Sequence, residues 1–435
     1  MTTANTQTAP APQTVRRSGL LAGRPWAGVA LLAVIFTLNM VDRLLPSILA
    51  EPMKRELGLS DTFLGVLNGV GFLAVYALAA IPIARIADSG RHGLVITASL
   101  GVWSCMTSVG GLVATGWQLG LARVGVALGE AGATPAAHVY ITRNFAPAQR
   151  ALALTVLSLG TPLGAMVSLA AGGALAQLLG WRATLLLVGA VGVVLTPVAA
   201  LAFGLGRLPA ADDPGAGGPK DDGLRALARE LRKPTAVAVF AGAGFVALSG
   251  YAIGAFFPAY MIRVHGLSVA EAGLQIGLLN GSIGALAMLG TGWLGGRLLR
   301  KDPRGPLFIL VAMSLISIPF SAAAFLVNSP QAAVVCMGLG VSTSSLYVPL
   351  TFGCVHSLVP AAMRGRASAV LQFFIAIFGG LGPVLVGAIS DALSGAYGAA
   401  ALGRAMMVIP AAYAMAASCF TVASTTLRRD LRDVG

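Results

Sequence analysis

Apolar runs of roughly twenty residues recur along the entire chain, separated by short polar or Gly- and Pro-bearing breaks. A bilayer's hydrocarbon core is crossed by a helix of about 20 such residues. The pattern predicts spans near 26–50, 62–84, 94–115, 118–141, 151–177, 183–206, 235–260, 269–296, 305–327, 331–356, 366–390 and 400–425. These twelve fall into two groups of six, and the link between them, 207–234, is the one long polar stretch. It carries Asp212, Asp213, Lys220, Asp221 and Asp222 and ends in LRALARELRK, whose apolar and basic positions suit an amphipathic surface helix. The expected layout is a polar, disordered arm at 1–23, a six-helix bundle at 24–206, the linker at 207–234, a second bundle at 235–426 and a tail at 427–435. The first apolar run is too long for a signal-peptide core, and no small-residue cleavage site follows it. The predicted fold class is an all-α membrane protein.

Composition agrees and adds an orientation. Only 10% of the 435 residues are charged, against roughly 25% in soluble domains, too few to cover a soluble globule of this size. Mean hydropathy is +0.82. In a soluble chain, a net charge of +13 would suggest nucleic acid. Sorted by loop, however, 22 Lys and Arg lie on the side that carries both termini. The other side holds five: Lys54, Arg55, Arg182, Arg263 and Arg404. The excess marks the terminal side as cytoplasmic, and an even number of spans returns both ends there. That use of the charge removes the nucleic-acid reading. The four cysteines form no CxxC or Cys/His spacing and read as small apolar fillers. No HExxH, GxSxG, phosphate-binding or dinucleotide loop is present, so nothing proposes an enzyme, a metal or a nucleotide-driven pump.

The halves echo each other. Ala84-Arg-Ile-Ala-Asp88-Ser-Gly-Arg91 follows span 2, and Gly292-Trp-Leu-Gly-Gly296-Arg297-Leu-Leu-Arg300-Lys301 follows span 8. Pro147-Ala-Gln-Arg150 follows span 4, and Pro360-Ala-Ala-Met-Arg364 follows span 10. Gly160-Thr-Pro162-Leu-Gly164 in span 5 and Gly380-Leu-Gly382-Pro383 in span 11 read as close-packing and hinge positions. Parallel six-helix repeats belong to a transporter architecture that binds its cargo between the halves at mid-membrane.

These residues resemble the major facilitator superfamily. Its signature after spans 2 and 8 is a Gly, an Asp–Arg pair and further Arg, which lock the cytoplasmic gate. The first copy keeps Asp88 but has Ala84 for the Gly and Ser89 for the first Arg; the second keeps Gly292, Arg297, Arg300 and Lys301 but has Gly296 for the Asp. Span 4, Arg123-Val-Gly-Val-Ala-Leu-Gly129-Glu130-Ala-Gly-Ala-Thr-Pro135, resembles the corresponding stretch of Spinster-like transporters, with Ala127 where that family has its first Gly. Asp42-Arg43 in span 1, Gly180-Trp181-Arg182, Phe257 to Ser268 at the end of span 7 and Gly387-Ala-Ile-Ser390-Asp391 in span 11 resemble the same family. The resemblance implies twelve spans, alternating access, a monomer and a lipid-like substrate of the sphingolipid or lysolipid kind.

Ionisable groups in hydrocarbon cost about 3 kcal/mol or more each and mark ion or proton routes. Four stand clear of the helix ends, all in the first half: Asp42, Arg43, Arg123 and Glu130. At about 1.5 Å per residue, Asp42 and Arg123 lie within roughly 5 Å in depth and Glu130 about 10 Å deeper on Arg123's face. They form a ladder in which Asp42 and Arg123 are able to pair. Arg43 is turned about 100° from Asp42, toward span 2 or 4, or snorkels outward. A carboxylate that exchanges an arginine for solvent as the halves rock binds and releases a proton; a permanently paired set holding spans 1 and 4 together is the alternative. The expected coupling residues are Asp42, Glu130, Arg123 and Arg43. The proton is the coupling ion, with no other cofactor.

The opposite wall is uncharged. Expected substrate-cavity residues are Asn39, Phe72 and Tyr76 from the first half, with Tyr251, Phe256, Ser345, Tyr347 and Phe373 from the second; ordinary helix packing is the rival role for each. His138, two turns beyond Glu130, reads as an exit relay or a packing histidine. Asp88, Arg91, Arg143, Arg150 and Arg297 are expected to close the cytoplasmic side. The resulting expectation is a proton-coupled exporter of an amphipathic or lipid-like molecule in a bacterial inner membrane. Its rivals are an organic-anion importer, and a gradient-independent scramblase or transport-dead sensor.

Overall fold

The computed structural model describes residues 19–21, 23–206, 221–279, 302, 304–341, 347–360 and 363–432, with backbone alone for 221–225 and 432. It is helical, with no strand among the described residues. A chain in lipid must satisfy its backbone within each segment, which leaves the helix as the local solution for these apolar runs. Span 1 is α1 (Pro25–Ile48), followed by a short α2 (Ala50–Leu57). Span 2 is α3 (Asp61–Asn68) and α4 (Val70–Ile86), broken at Gly69. Span 3 is α5 (His92–Gly110), and span 4 is α6 (Gly116–Glu130) with α7 (Ala133–Asn144). The entry into α6 is a reciprocal cap, in which Thr115 accepts from the Gln118 amide and Gln118 accepts from the Thr115 amide.

Spans 5 and 6 run through α8 (Pro147–Ser158) and α9 (Gly160–Phe203) with almost no connecting loop. The chain reverses at Gly180, whose φ of +80° is open to glycine and strained for other residues. The linker ends in α10 (Asp221–Leu231). The second half holds α11 (Pro234–Arg263), α12 (Val269–Leu279), α13 (Gly305–Leu326), α14 (Pro330–Val341), α15 (Tyr347–Leu358), α16 (Arg364–Tyr397), α17 (Ala401–Ala405) and α18 (Val408–Arg432). The rest of span 8, with Arg297, lies outside the described residues, as do Ser345, most of the amino-terminal arm and 207–220.

Contacts repeat between the halves: α1 and α5 both pack on α9, as α11 packs on α16 and α13 on α18. Large apolar side chains such as Leu78, Leu178, Val194 and Leu201 are exposed on the outer faces, where hydrocarbon takes the place of a core. Inside the first half, Gly160 and Gly164 let α9 close on α1, and Gly129 presses against Trp103. The halves meet mainly through α3 and α4 against α16. There, a Cβ on Gly65 would fall 2.7 Å from the Pro383 carbonyl carbon, and one on Gly69 would fall on the Gly380 carbonyl. A second seam joins α9 to α12, where Gly173 and Gly273 face one another.

Candidate functional site

Between the halves lies a cavity of about 360 Å³, walled by α1, α3, α4 and α6 on one side and α11 and α15 on the other. The first half contributes Arg43, Asn68, Phe72 and Arg123; the second contributes Tyr251, Gly254 and Tyr347. The four intramembrane charges gather at this wall. Arg43 donates from Nε (3.1 Å) and Nη2 (2.7 Å) to one oxygen of Glu130, which is buried. Its guanidinium also lies 4.8 Å from the Tyr76 ring and 5.6 Å from that of Phe72. Arg43 thus faces spans 2 and 4 rather than snorkelling.

Arg123 is placed differently from the simple ladder. Its guanidinium donates to the backbone carbonyls of Asp42 (3.2 Å) and Arg43 (3.5 Å) and sits 4.6 Å from the Phe72 ring. Both Asp42 carboxylate oxygens are buried without a hydrogen-bond partner among the described residues. Asp42, Thr107 and Arg123 line a separate cavity of about 20 Å³, room for about one water. The four charges therefore meet, but the cation that holds Glu130 is Arg43. The rotation of α1 against α6 decides this, and a long Arg side chain reaches across the 100° offset from Asp42.

Phe72, Tyr251 and Tyr347 line the cavity. Tyr76 stands behind Phe72, its ring 6.3 Å away, against Arg43. Three expectations are corrected. Phe373 does not line this cavity; it is 45% exposed on α16, seven residues before Gly380 and on the same face of the helix. Phe256, one residue past the cavity-lining Ala255, is rotated into the second half's core and is 1% exposed. Asn39 is buried on α1 without lining the cavity, its amide nitrogen unpartnered among the described residues.

At the end of the bundle carrying the termini, Asp88 and Arg91 are exposed. Arg143 donates to the Asp88 backbone carbonyl (3.2 Å), and Arg150 donates to the carbonyls of Phe145 (3.1 Å) and Thr142 (2.8 Å). The opposite, distal end is tied shut. Arg263 at the end of α11 donates to both oxygens of Asp61 (2.7 and 2.9 Å) and to Glu51 (2.9 and 3.2 Å). Lys54 and Ser390 also bind Asp61. From α16, Asp391 accepts from the backbone amides of Asp61 (2.9 Å) and Thr62 (2.7 Å) and from the Thr62 hydroxyl (2.6 Å). Among the described residues, the ion pairs joining the two halves are those of Arg263. Nearby, Glu56 accepts from the Trp181 indole (2.6 Å) and from Arg182 (2.8 Å), which holds its carboxyl below the usual glutamate value.

The distal latch was not assigned from the sequence. Its signal was present: acidic residues at the outer ends of spans 1 and 2, and a lone Arg263 at the outer end of span 7.

The sequence pattern of the Major Facilitator Superfamily matches residues 31–383. The chain belongs to the major facilitator superfamily. This transporter is 44% identical over 413 residues to an MFS-type efflux pump of Mycolicibacterium smegmatis, covering 94% of each chain. It also superimposes on a bacterial homologue of the human lysosomal transporter Spinster in an inward-facing, unoccupied conformation. The TM-score is 0.82 and the identity 28%, covering 94% of this chain and 98% of that one. At 25% identity, it matches a probable L-galactonate transporter of Escherichia coli, over 87% of this chain and 85% of that one. The transporter is a Spinster-like member of its superfamily and a multi-pass membrane protein; its relatives are transporters rather than enzymes.

Proposed function

We propose that this transporter exports an amphipathic or lipid-like molecule by exchange for protons, through alternating access. The observation carrying this reading is the group of four intramembrane charges beside the inter-half cavity: Arg43 and Arg123 line it, Glu130 is buried against Arg43, and Asp42 is buried in the small cavity beside Arg123. Glu130 holds Arg43, while Asp42 holds no cation through its carboxylate. A proton arriving at Glu130 releases Arg43 to the cavity; a proton leaving restores the pair. Glu130 and the cavity thereby share one arginine, so proton binding at Glu130 and the charge that Arg43 offers to cargo are linked.

An apolar cavity with a charged rim on one side and Tyr251 and Tyr347 on the other suits a polar head joined to an apolar body. The efflux-pump relative supports the outward direction. With the positive-inside orientation, closure at the distal end is the inward-facing state, and the transporter functions as a monomer in the bacterial inner membrane. Asp88, Arg91, Arg143 and Arg150, with Arg297, form the contacts that close the cytoplasmic end in the opposite state.

The test is reconstitution in liposomes with an imposed pH gradient. Gradient-driven transport disappears in Asp42→Asn and in Glu130→Gln. If both variants keep gradient-driven transport, the coupling role is refuted. A second reading, import of an organic anion on Arg43 or Arg123, is favoured by the cations at the cavity and by the relative named as an L-galactonate transporter. Uptake that survives Asp42→Asn but fails in Arg43→Ala or Arg123→Ala selects it.

A further inference from the structure

A second cavity, about 190 Å³, lies within the first half between α3–α4 and α6. Its walls are apolar, with Phe63, Phe72, Trp117 and Leu121 among them. Trp117 and Leu121 are exposed on the outer face of the bundle, so the mouth opens toward hydrocarbon. Arg123 supplies its one charged wall residue. That side chain is more than nine-tenths buried, and its Nε has no partner among the described residues. Its other nitrogens end on neutral carbonyls rather than on a carboxylate. Arg123 and Phe72 line this side pocket and the central cavity alike, so the two spaces share a wall.

An apolar pocket open to the bilayer, with a buried cation at its inner end, complements an alkyl chain carrying an anionic head. We propose that the side pocket holds the tail of the transported amphipath while its head lies at Arg123 in the central cavity. This rests on the amphipath reading above and is independent of proton coupling. A resident bilayer lipid fits less well. Arg123 is seven residues into α6, about 10 Å below the distal end of the span, and a bilayer lipid keeps its head at the interface. A transported molecule must leave that interface, and Phe72, whose ring lies against Arg123, is the partition its tail passes.

Gly120 provides the test. It lines the pocket, and a Cβ there would meet only the Phe63 ring, at 3.6 Å. Gly120→Leu therefore fills the pocket without a clash at Cβ and raises helix propensity. The probes are alkyl phosphates of increasing chain length, with binding measured on the full-length transporter in nanodiscs. In the parent, affinity rises up to about fourfold per buried methylene. Gly120→Leu flattens that rise while leaving the shortest chain's affinity unchanged. Gly254→Leu, which projects into the central cavity with nothing within 4 Å of its Cβ, weakens every member. An unaltered chain-length slope in Gly120→Leu overturns the inference. So does a flattened slope with transport unchanged and a co-purifying phospholipid lost, which makes a bilayer lipid the occupant. A parent that binds alkyl phosphates without regard to length refutes the side pocket alone; one that binds none refutes the substrate reading beneath it.

Discussion

Replacing Arg263 with Ala removes the cation on which two carboxylates of the other half converge. The three side chains are 14%, 7% and 2% exposed for Arg263, Glu51 and Asp61, so solvent does little to screen them. Removing one partner of a buried ion pair costs about 3–5 kcal/mol. Asp61 keeps Lys54 and Ser390, so the lower end applies, about 3 kcal/mol. The cost falls on the distally closed state alone, because separated halves expose Glu51 and Asp61 to water. A shift of 3 kcal/mol is roughly a 150-fold change in the ratio of distally open to closed molecules. Spin labels at Ala114 and Val264, on opposite halves at the distal end, report it once Cys105, Cys336, Cys354 and Cys419 are replaced. The longer inter-label distance should become heavily populated in Arg263→Ala, and less so in Arg263→Lys. Distance distributions matching the parent would show that the latch contributes no bias to the conformational equilibrium.

Two other outcomes follow from contacts at the same end. Gly65→Val places a branched side chain where a Cβ alone lies 2.9 Å from Val384 Cα, so it should hold the distal end apart and move the same label pair as Arg263→Ala does. Glu56 is held below its ordinary value near 4.5 when folded. Its stabilising contribution is therefore complete above that pH and lost as pH falls through the lowered folded value. Acid-unfolding curves of the parent and Glu56→Gln should differ above pH 4.5 and converge once the pH has fallen through the lowered folded value.

The spans were legible because lipid allows few alternatives to a helix, and their apolar lengths are written without interruption. The breaks at Gly69 and Ala131–Gly132 were less visible, since both interrupt continuous apolar runs. The four intramembrane charges stood out by their rarity in hydrocarbon, and depth along the helices brought Asp42, Arg43, Arg123 and Glu130 together. Depth along a helix does not set the rotation of α1 against α6, so the Arg43–Glu130 pairing emerged only in three dimensions. The same limitation misplaced Phe256: one residue past the cavity-lining Ala255, rotation about α11 puts it in the core instead. The latch was hidden for another reason. Glu51, Asp61 and Arg263 sit at helix ends, where isolated charges ordinarily face water, and only the approach of α11 to α2 and α3 removes them from it.

Asp391 has a consequence for the other half of the molecule. A helix begins with amides that its own turns leave without acceptors. In α3 the Phe63 amide is served locally by Ser60, whereas those of Asp61 and Thr62 are served by a carboxylate belonging to α16. The first turn of span 2 is therefore completed by a residue more than 300 positions away. When the distal end parts, that turn must trade a fixed anion for water. Hydrogen exchange at the Asp61 and Thr62 amides should then quicken with opening, making the start of α3 an internal clock for the transport cycle.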